Sequence, residues 1–255
     1  MRAAQLMNLP APAQTGGAIS RPERVLPAWP TVLAVVAHPD DETFGLGAVV
    51  ERLTASGAEV HLLCYTRGEA STLNETGSRL RRARADELRR ASSALGVATV
   101  TLLGYPDGRL ASTPPGELAA HVTRLADRHR PGGLLVFDDT GITGHPDHQA
   151  ATAAALRAGG AAGLPVLAWT LSASIASRLQ RETGHAFTGQ PPDRLDLCVR
   201  VDRTRQRRAA LMHASQISPA AVLWRRLQLQ GDCEHLRWLQ PPQPDPELAC
   251  GRALG

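Results

Sequence analysis

Two short segments of the 255-residue chain concentrate side chains able to do chemistry: His38-Pro39-Asp40-Asp41-Glu42 and His145-Pro146-Asp147-His148. Imidazole nitrogens and carboxylate oxygens suit Zn²⁺, with Fe²⁺ another divalent ion for the same donors. Three protein ligands and one open position make a catalytic arrangement. A metal held this way lowers the pKa of water from about 15.7 to about 7 and polarises a carbonyl. The adjacent Asp40 and Asp41 supply what hydrolysis then needs, one carboxylate to ligate and one free to accept a proton. His145 and His148 are three apart, and Pro146 suits a first helical position, so both rings can leave one side of a helical turn. One can bind metal while the other faces a developing oxyanion. Each residue alone has a plainer assignment: a hydrogen-bonded histidine at a strand end, or an acidic run capping a helix, which suits Glu42 well. The two segments together make the chemical reading the stronger one.

For these segments to act together, the chain must bring them to one place. Thr31–Ala37 is a β-branched apolar run that ends at the first segment, and Thr43–Ser56 carries helical periodicity up to Gly57. Ala58–Thr66 reads as a second strand, Arg79–Leu95 as a helix closed by Gly96, and Thr99–Tyr105 as a third strand. Glu117–Arg130 reads as a helix, Gly133–Asp139 as a fourth strand, Pro146–Ala158 as a helix and Pro165–Leu171 as a fifth strand. This alternation predicts an α/β fold, a doubly wound and mostly parallel sheet covered on both faces. Such sheets bind ligands at the carboxyl ends of strands, and strands one and four commonly flank the point where strand order reverses. The two segments are therefore expected face to face. After Leu171 the rhythm breaks: Ser172–Arg194 reads as an irregular excursion, Leu195–Asp202 as a further strand and Arg203–Ser215 as a helix. The expected organisation is a flexible Ala/Pro/Gly-rich arm at 1–30, a single domain with irregular C-terminal additions at 31–239, and a mobile tail at 240–255.

Composition narrows the function classes. With 43% hydrophobic residues the chain can bury one sizeable core, and no apolar run is long enough for a membrane span or a signal-peptide core. Four cysteines lie far apart without a CxxC pair, which reads as a reduced, cytoplasmic chain with no disulfide framework. The net charge of +4 invites a nucleic-acid partner. However, all 28 cationic side chains are arginine, and the densest groups, Arg79–Arg90 and Arg203–Arg208, have the spacing of solvated helix faces. At 4% aromatic the chain offers no base-stacking platform, so no nucleic-acid partner is expected. Gly45-Leu46-Gly47 suggests a nucleotide site, but no G-x-G-x-x-G turn forms and clustered carboxylates repel a pyrophosphate.

The chain resembles the LmbE-like, or PIG-L, family of zinc-dependent de-N-acetylases. The resemblance rests on the run from Val35 to Glu42, Thr66-Arg67-Gly68-Glu69, the Arg84-x-x-Glu87 helix leading to Leu95-Gly96, the turn from Leu103 to Gly108, the 145–148 segment and His213-x-x-Gln216. These motifs follow family order from Val32 to about Gln216. The resemblance implies a Rossmann-like fold in which His38, Asp41 and His148 hold the metal. It makes Asp40 the general base that later protonates the amine, and His145 the group stabilising the tetrahedral intermediate. Asp147 would orient His145, and Arg67, Asp107 and Gln216 would approach the substrate, with His213 beside Gln216 on one helix face. The implied activity is removal of an N-acetyl group from a small N-acetylglucosamine-type aminosugar, in bacterial secondary metabolism or thiol biosynthesis. An amidase or deacylase acting on a non-acetyl amide such as a thiol conjugate, and a non-catalytic relative, are the alternatives. Family members often self-associate, which makes a homo-oligomer an open expectation. Pocket shape is expected to depend on 172–194 and on the loop 68–77.

Overall fold

Five apolar residues in succession, Val32–Val36, gain most from a strand with both faces buried. In the computed structural model, which describes residues 25–71, 78–218 and 222–243, they form most of β1 (Thr31–Val36), and all five are buried. Val32, Ala34 and Val36 enter one apolar layer, Leu33 and Val35 the other, as the two-residue period of a strand requires. The chain continues through α1 (Asp41–Phe44), α2 (Gly47–Ala55), β2 (Glu59–Thr66), α3 (Ser78–Leu95), β3 (Thr99–Tyr105), α4 (Pro115–His129) and β4 (Gly133–Phe137). It then forms α5 (Gly141–Gly144), α6 (Pro146–Ala162), β5 (Val166–Thr170), α7 (Ala173–Thr183), β6 (Leu197–Arg200), α8 (Thr204–Ala210), α9 (Val222–Gln230) and β7 (Cys233–Gln240).

The described strands make one sheet in the order β3-β2-β1-β4-β5-β7-β6. Strands β1 to β5 pair in parallel, whereas β7 runs antiparallel to both β5 and β6. The expected doubly wound α/β sheet is present, with a mixed edge. Its order reverses between β1 and β4, so their carboxyl ends open a crevice there. Helices α2 and α3 cover one face through Val49, Leu53, Leu88 and Leu95; α4 and α6 cover the other through Leu118, Val122, Ala151 and Ala155. Each buried Val or Leu contributes about 1.5–3 kcal/mol. A few such side chains outweigh the strain at the end of β1, where Asp40 sits at φ 113° at a cost of about 1–3 kcal/mol.

Several elements differ from expectation, each for a local reason. The helix expected over Thr43–Ser56 is two, interrupted at Gly45 and Leu46: a Cβ on Gly45 would stand 2.2 Å from the Phe137 ring. Ser172–Arg194 is not irregular throughout, since α7 packs Ile175, Ala176 and Leu179 onto the core and ends at Gly184, φ 75°. The helix expected over Arg203–Ser215 stops at Ala210, and His213 and Gln216 lie in the tight turns that follow rather than on a helix face. Strand β7 was hidden in the sequence because its inward position 234 is a glutamate. Glu234 is fully buried, accepting from Trp169 Nε1 (2.7 Å), Gln230 Nε2 (2.8 Å) and Arg203.

The cysteine reading also needs correction. Antiparallel pairing of β6 with β7 brings Cys198 and Cys233, 35 residues apart, to a Cα–Cα distance of 6.0 Å, where they form a disulfide. The expectation of a chain without a disulfide is not met. Cys64 is free and buried, and Cys250 lies outside the described residues. Among those residues, no helix is long and apolar enough to cross a membrane. Of the expected arm only 25–30 are described, and there Trp29 packs edge-on against Trp238 with ring centroids 5.9 Å apart. Residues 1–24 of the arm, 72–77 of the 68–77 loop and 244–255 of the tail lie outside the described part.

Candidate active site

The turn after β1 is tied by Asp41, whose Oδ2 accepts from the backbone N–H of Ala37 (3.1 Å) and His38 (2.9 Å). Its other oxygen faces the second segment across the crevice: Asp41 Oδ1 lies 3.1 Å from His148 Nε2. His38 Nδ1 lies 3.2 Å from the same His148 nitrogen and 3.6 Å from Asp41 Oδ2. Tetrahedral ligation at about 2.0–2.1 Å sets ligand atoms about 3.3 Å apart, and these spacings bracket that value. The ring protons are assigned from their partners. His148 Nδ1 donates to the Gly141 carbonyl (3.3 Å), and His38 Nε2 donates to Asp107 Oδ1 (3.1 Å) and Asp147 Oδ2 (3.3 Å). Two imidazole lone pairs and a carboxylate therefore converge, an arrangement that repels itself unless a cation lies among them. The donors fit a divalent metal.

The same electrostatics act on protonation. Burial opposes charge on His38, but Asp107, Asp147 and Asp41 outweigh it and raise its pKa well above the usual value. Burial also opposes charge on Asp41, yet His148 and His38 hold it well below the carboxylate range. The cluster thus draws positive charge, which a proton or a metal can supply.

Asp40 does not join this cluster. It lines a cavity of about 310 Å³ together with His38, Asp41, Asp107, His145, His148 and Gln216. Burial is the main cause that lifts its pKa to about 6, with Asp41 adding to the rise and Arg84 opposing it. A carboxylate so poised is matched to proton transfer near neutral pH. Arg84 is itself buried, donating to Asp40 Oδ2 (3.0 Å), to Gly68 O (2.7 Å) and to the Pro39 carbonyl. Gly68, at φ 66°, makes room for it, since a Cβ there would stand 2.3 Å from the guanidinium. On its far side Asp40 is held by Glu42, whose Oε2 accepts from the Asp40 N–H (2.9 Å) and whose Oε1 pairs with His213 Nε2 at 2.6 Å.

His145 caps α6: its Nδ1 accepts from the Asp147 N–H (3.2 Å), which leaves Nε2 as the proton-bearing nitrogen. Burial and the neighbouring His148 and His38 lower its pKa, so the ring is a neutral donor. Asp147 acts on His145 through its backbone. Its fully buried carboxylate goes elsewhere, to His38 Nε2, to the Gly108 N–H (2.8 Å) and to the Leu110 N–H (3.0 Å). Asp147 thus meets His145 through its backbone N–H and His38 through its carboxylate. Asp107 lines the cavity but gives Oδ1 to His38 and Oδ2 to the Ala70 N–H (2.8 Å). Gln216 also lines it, accepting from Ser71 Oγ (2.8 Å). Arg67 is not among the described lining residues; its Nε lies near Gly104 of β3.

The profile of the GlcNAc-PI de-N-acetylase family, PIG-L, matches residues 33–159. A 1D-myo-inositol 2-acetamido-2-deoxy-alpha-D-glucopyranoside deacetylase of Mycobacterium sp. (strain KMS) is 31% identical over 235 residues, covering 75% of this chain and 76% of that protein. The chain belongs to the PIG-L family. A like-named deacetylase 1 of Catenulispora acidiphila is 36% identical over 173 residues, covering 56% of this chain and 54% of that one. The chain thus spans little more than half the length of the latter relative. Among solved structures, the N,N'-diacetylchitobiose deacetylase of Pyrococcus horikoshii shares the fold, with a TM-score of 0.61 at 21% identity over 83% of this chain and 84% of that one.

In this PIG-L chain two arrangements around Asp40 went beyond what its motifs foretold, and each carries a prediction. Arg84 belonged to a recognised motif without a role, one arginine among many on an amphipathic helix; only Gly68 marks its place. Because Arg84 holds the Asp40 pKa down, Arg84→Met should move the acid limb of kcat/KM upward by about 1–3 pH units. Wild type should lose activity at or below about pH 6, and Arg84→Lys should largely restore the wild-type profile. A loss that is equal at all pH values would make Arg84 merely structural.

The Glu42–His213 pair has both side chains fully buried. His213→Ala strands the Glu42 carboxylate, and unfolding in urea should show a loss of about 3–5 kcal/mol. Burial opposes charge on His213, but Glu42 and Asp40 raise its pKa. The contribution is therefore complete below about pH 6.5, the unfolded value, and fades as pH rises through the raised folded one. The stability gap between wild type and variant should narrow in that direction.

Proposed function

We propose that the chain is a zinc-dependent N-deacetylase that removes the acetyl group of an N-acetylglucosamine-type aminosugar, with its activity in a domain of residues 31–239. The observation that carries this reading is Asp40, a carboxylate raised to about pKa 6 at the edge of a His-Asp-His cluster and open to the same cavity. His38, Asp41 and His148 would hold the ion. When bound there, Zn²⁺ supplies Lewis acidity, drawing charge from the amide oxygen and making water more acidic.

The protein's own groups do the rest. Asp40 accepts the proton of the attacking water at its carboxylate and returns it to the departing amine, and Arg84 keeps it ionised until then. His145 donates Nε2–H to the oxygen that gains charge as the carbonyl becomes tetrahedral, held for this by the Asp147 N–H on Nδ1. The Asp147 and Asp107 carboxylates fix His38 with its Nδ1 lone pair turned to the cluster. Gln216 and Asp107 face the sugar side of the cavity, and Arg67 has no part in this proposal. The family resemblance and the names of the relatives support an aminosugar substrate.

The test is metal analysis of the purified protein, then mass-spectrometric screening of the zinc-loaded form against N-acetylated aminosugars. The expected result is loss of acetyl with release of acetate. Zinc-loaded protein that leaves every amide in such a panel intact would sink the reading and favour a non-catalytic relative.

A further inference from the structure

A second cavity adjoins the cluster. It has a volume of about 220 Å³ and shares only Asp41 and His148 with the polar cavity that holds Asp40. Its other walls are mostly apolar: Phe137 and Trp169 from the ends of β4 and β5, Ile142 from α5, Phe187 after α7, and Leu223 at the start of α9. The lining has one cation, Arg226, and that guanidinium is engaged. It donates to Gln230 Oε1 (2.6 Å) and to the Phe44 carbonyl, and its carbon lies 4.9 Å from the Trp169 ring centroid. The cavity is therefore shaped for an uncharged apolar group.

Its walls are held in place by specific means. Trp169 is anchored through Nε1 on the buried Glu234. Phe137 occupies the space that a side chain at position 45 would need. Ile142 is kept at φ 64°, a conformation that a β-branched residue rarely adopts and that persists only where its surroundings enforce it.

An amide has two arms on its carbonyl carbon. The nitrogen arm must stay within reach of Asp40, because the leaving amine takes its proton there. Asp40, Arg84, Asp107 and Gln216 line the polar cavity and none of them lines the apolar one. With the carbonyl at the cluster, the sugar lies in the polar cavity and the acyl arm points past Asp41 and His148 into the apolar one. A methyl group fills little of it: an apolar cavity of about 150 Å³ already admits benzene. We propose that this cavity is an acyl pocket, and that straight-chain N-acyl groups longer than acetyl, up to about hexanoyl, are cleaved in preference to acetyl. This rests on the N-deacetylase reading above and extends it to the acyl side of the substrate.

The experiment compares N-acetyl-, N-butyryl- and N-hexanoylglucosamine as substrates of the zinc-loaded protein, and acetate, butyrate and hexanoate as ligands measured by calorimetry. Each buried methylene should raise kcat/KM and tighten Kd about four-fold. Two variants narrow the pocket from different elements: Val222→Phe on α9 and Thr143→Trp on α5, the latter at an exposed position. Both should reverse the ratio of hexanoyl to acetyl turnover by ten-fold or more. A kcat/KM that falls from acetyl onward, or variants that scale all chain lengths equally, would overturn the pocket. If no glucosamide is hydrolysed, the activity reading fails by itself. The carboxylate series then still decides: a chain-length gain abolished by the variants supports the pocket, and a flat series overturns it.

Discussion

Asp40→Asn is expected to leave bound metal at the wild-type level while kcat falls by about 10²–10⁴-fold. The metal should stay because the converging donors are His38 Nδ1, Asp41 and His148 Nε2, and Asp40 is none of them. The fold should stay because asparagine is one of the few residues that tolerate positive φ, and Asp40 sits at φ 113°. Its backbone N–H would still donate to Glu42, and Arg84 would keep the Gly68 and Pro39 carbonyls. What disappears is the proton acceptor. A pKa near 6 makes Asp40 basic enough to take a proton and acidic enough to give it up to an amine, and an amide does neither. Metal content by mass spectrometry and single-turnover rates measure the two halves separately. Unchanged kcat would refute the base assignment, and loss of metal would mean that Asp40 belongs to the ligand set.

How far the sequence reaches depends on whether a residue's role follows from its own type or from its neighbours. The apolar run of β1 could be buried only as a strand, and the alternation that follows it left few alternatives to a parallel sheet. The switch point between β1 and β4, and with it the meeting of His38, Asp41 and His148, followed from that topology. Arg84 and Arg67 show the opposite case. Both are arginines in recognised motifs, and the Arg84 guanidinium reaches Asp40 through room that the missing side chain at Gly68 leaves. Asp147 is a third kind of case. The resemblance gave it an orienting role toward His145, and as the first acidic residue of α6 it meets His145 through its N–H. The turn at Gly108 and Leu110 and the His38 ring claim its carboxylate. Strand β7 escaped because the charge at Glu234 breaks the apolar alternation, and a buried charge is legible only once Arg203, Trp169 and Gln230 are seen around it.

His148→Ala is expected to abolish metal retention and, with it, turnover. Of the three donors, His148 is the one whose loss isolates ligation from structure. Asp41 also ties the β1 turn through the Ala37 and His38 N–H groups, so its removal would loosen the backbone as well. His148 gives Nε2 to the cluster, one Nδ1 bond to the Gly141 carbonyl and ring contacts to Phe137 and His145, and it ties no backbone N–H of the β1 turn. Thermal unfolding makes the difference measurable without an assay. A ligand that binds only the folded state stabilises it by about 4 kcal/mol at a thousand times its Kd. Metal-stripped wild type should gain this on adding zinc, and His148→Ala should gain almost nothing. Acid should weaken the wild-type response in a defined direction. The His38 pKa is raised by Asp107, Asp147 and Asp41 against the opposing effect of burial, so protons compete with metal for Nδ1 already above the usual histidine range. Zinc affinity should therefore fall as pH drops through that raised value. Asp147→Asn, which removes one of the carboxylates raising it, should move the onset of that fall to lower pH. A zinc response that persists in His148→Ala, or that is independent of pH between 5 and 9, would rule out this cluster as the metal site.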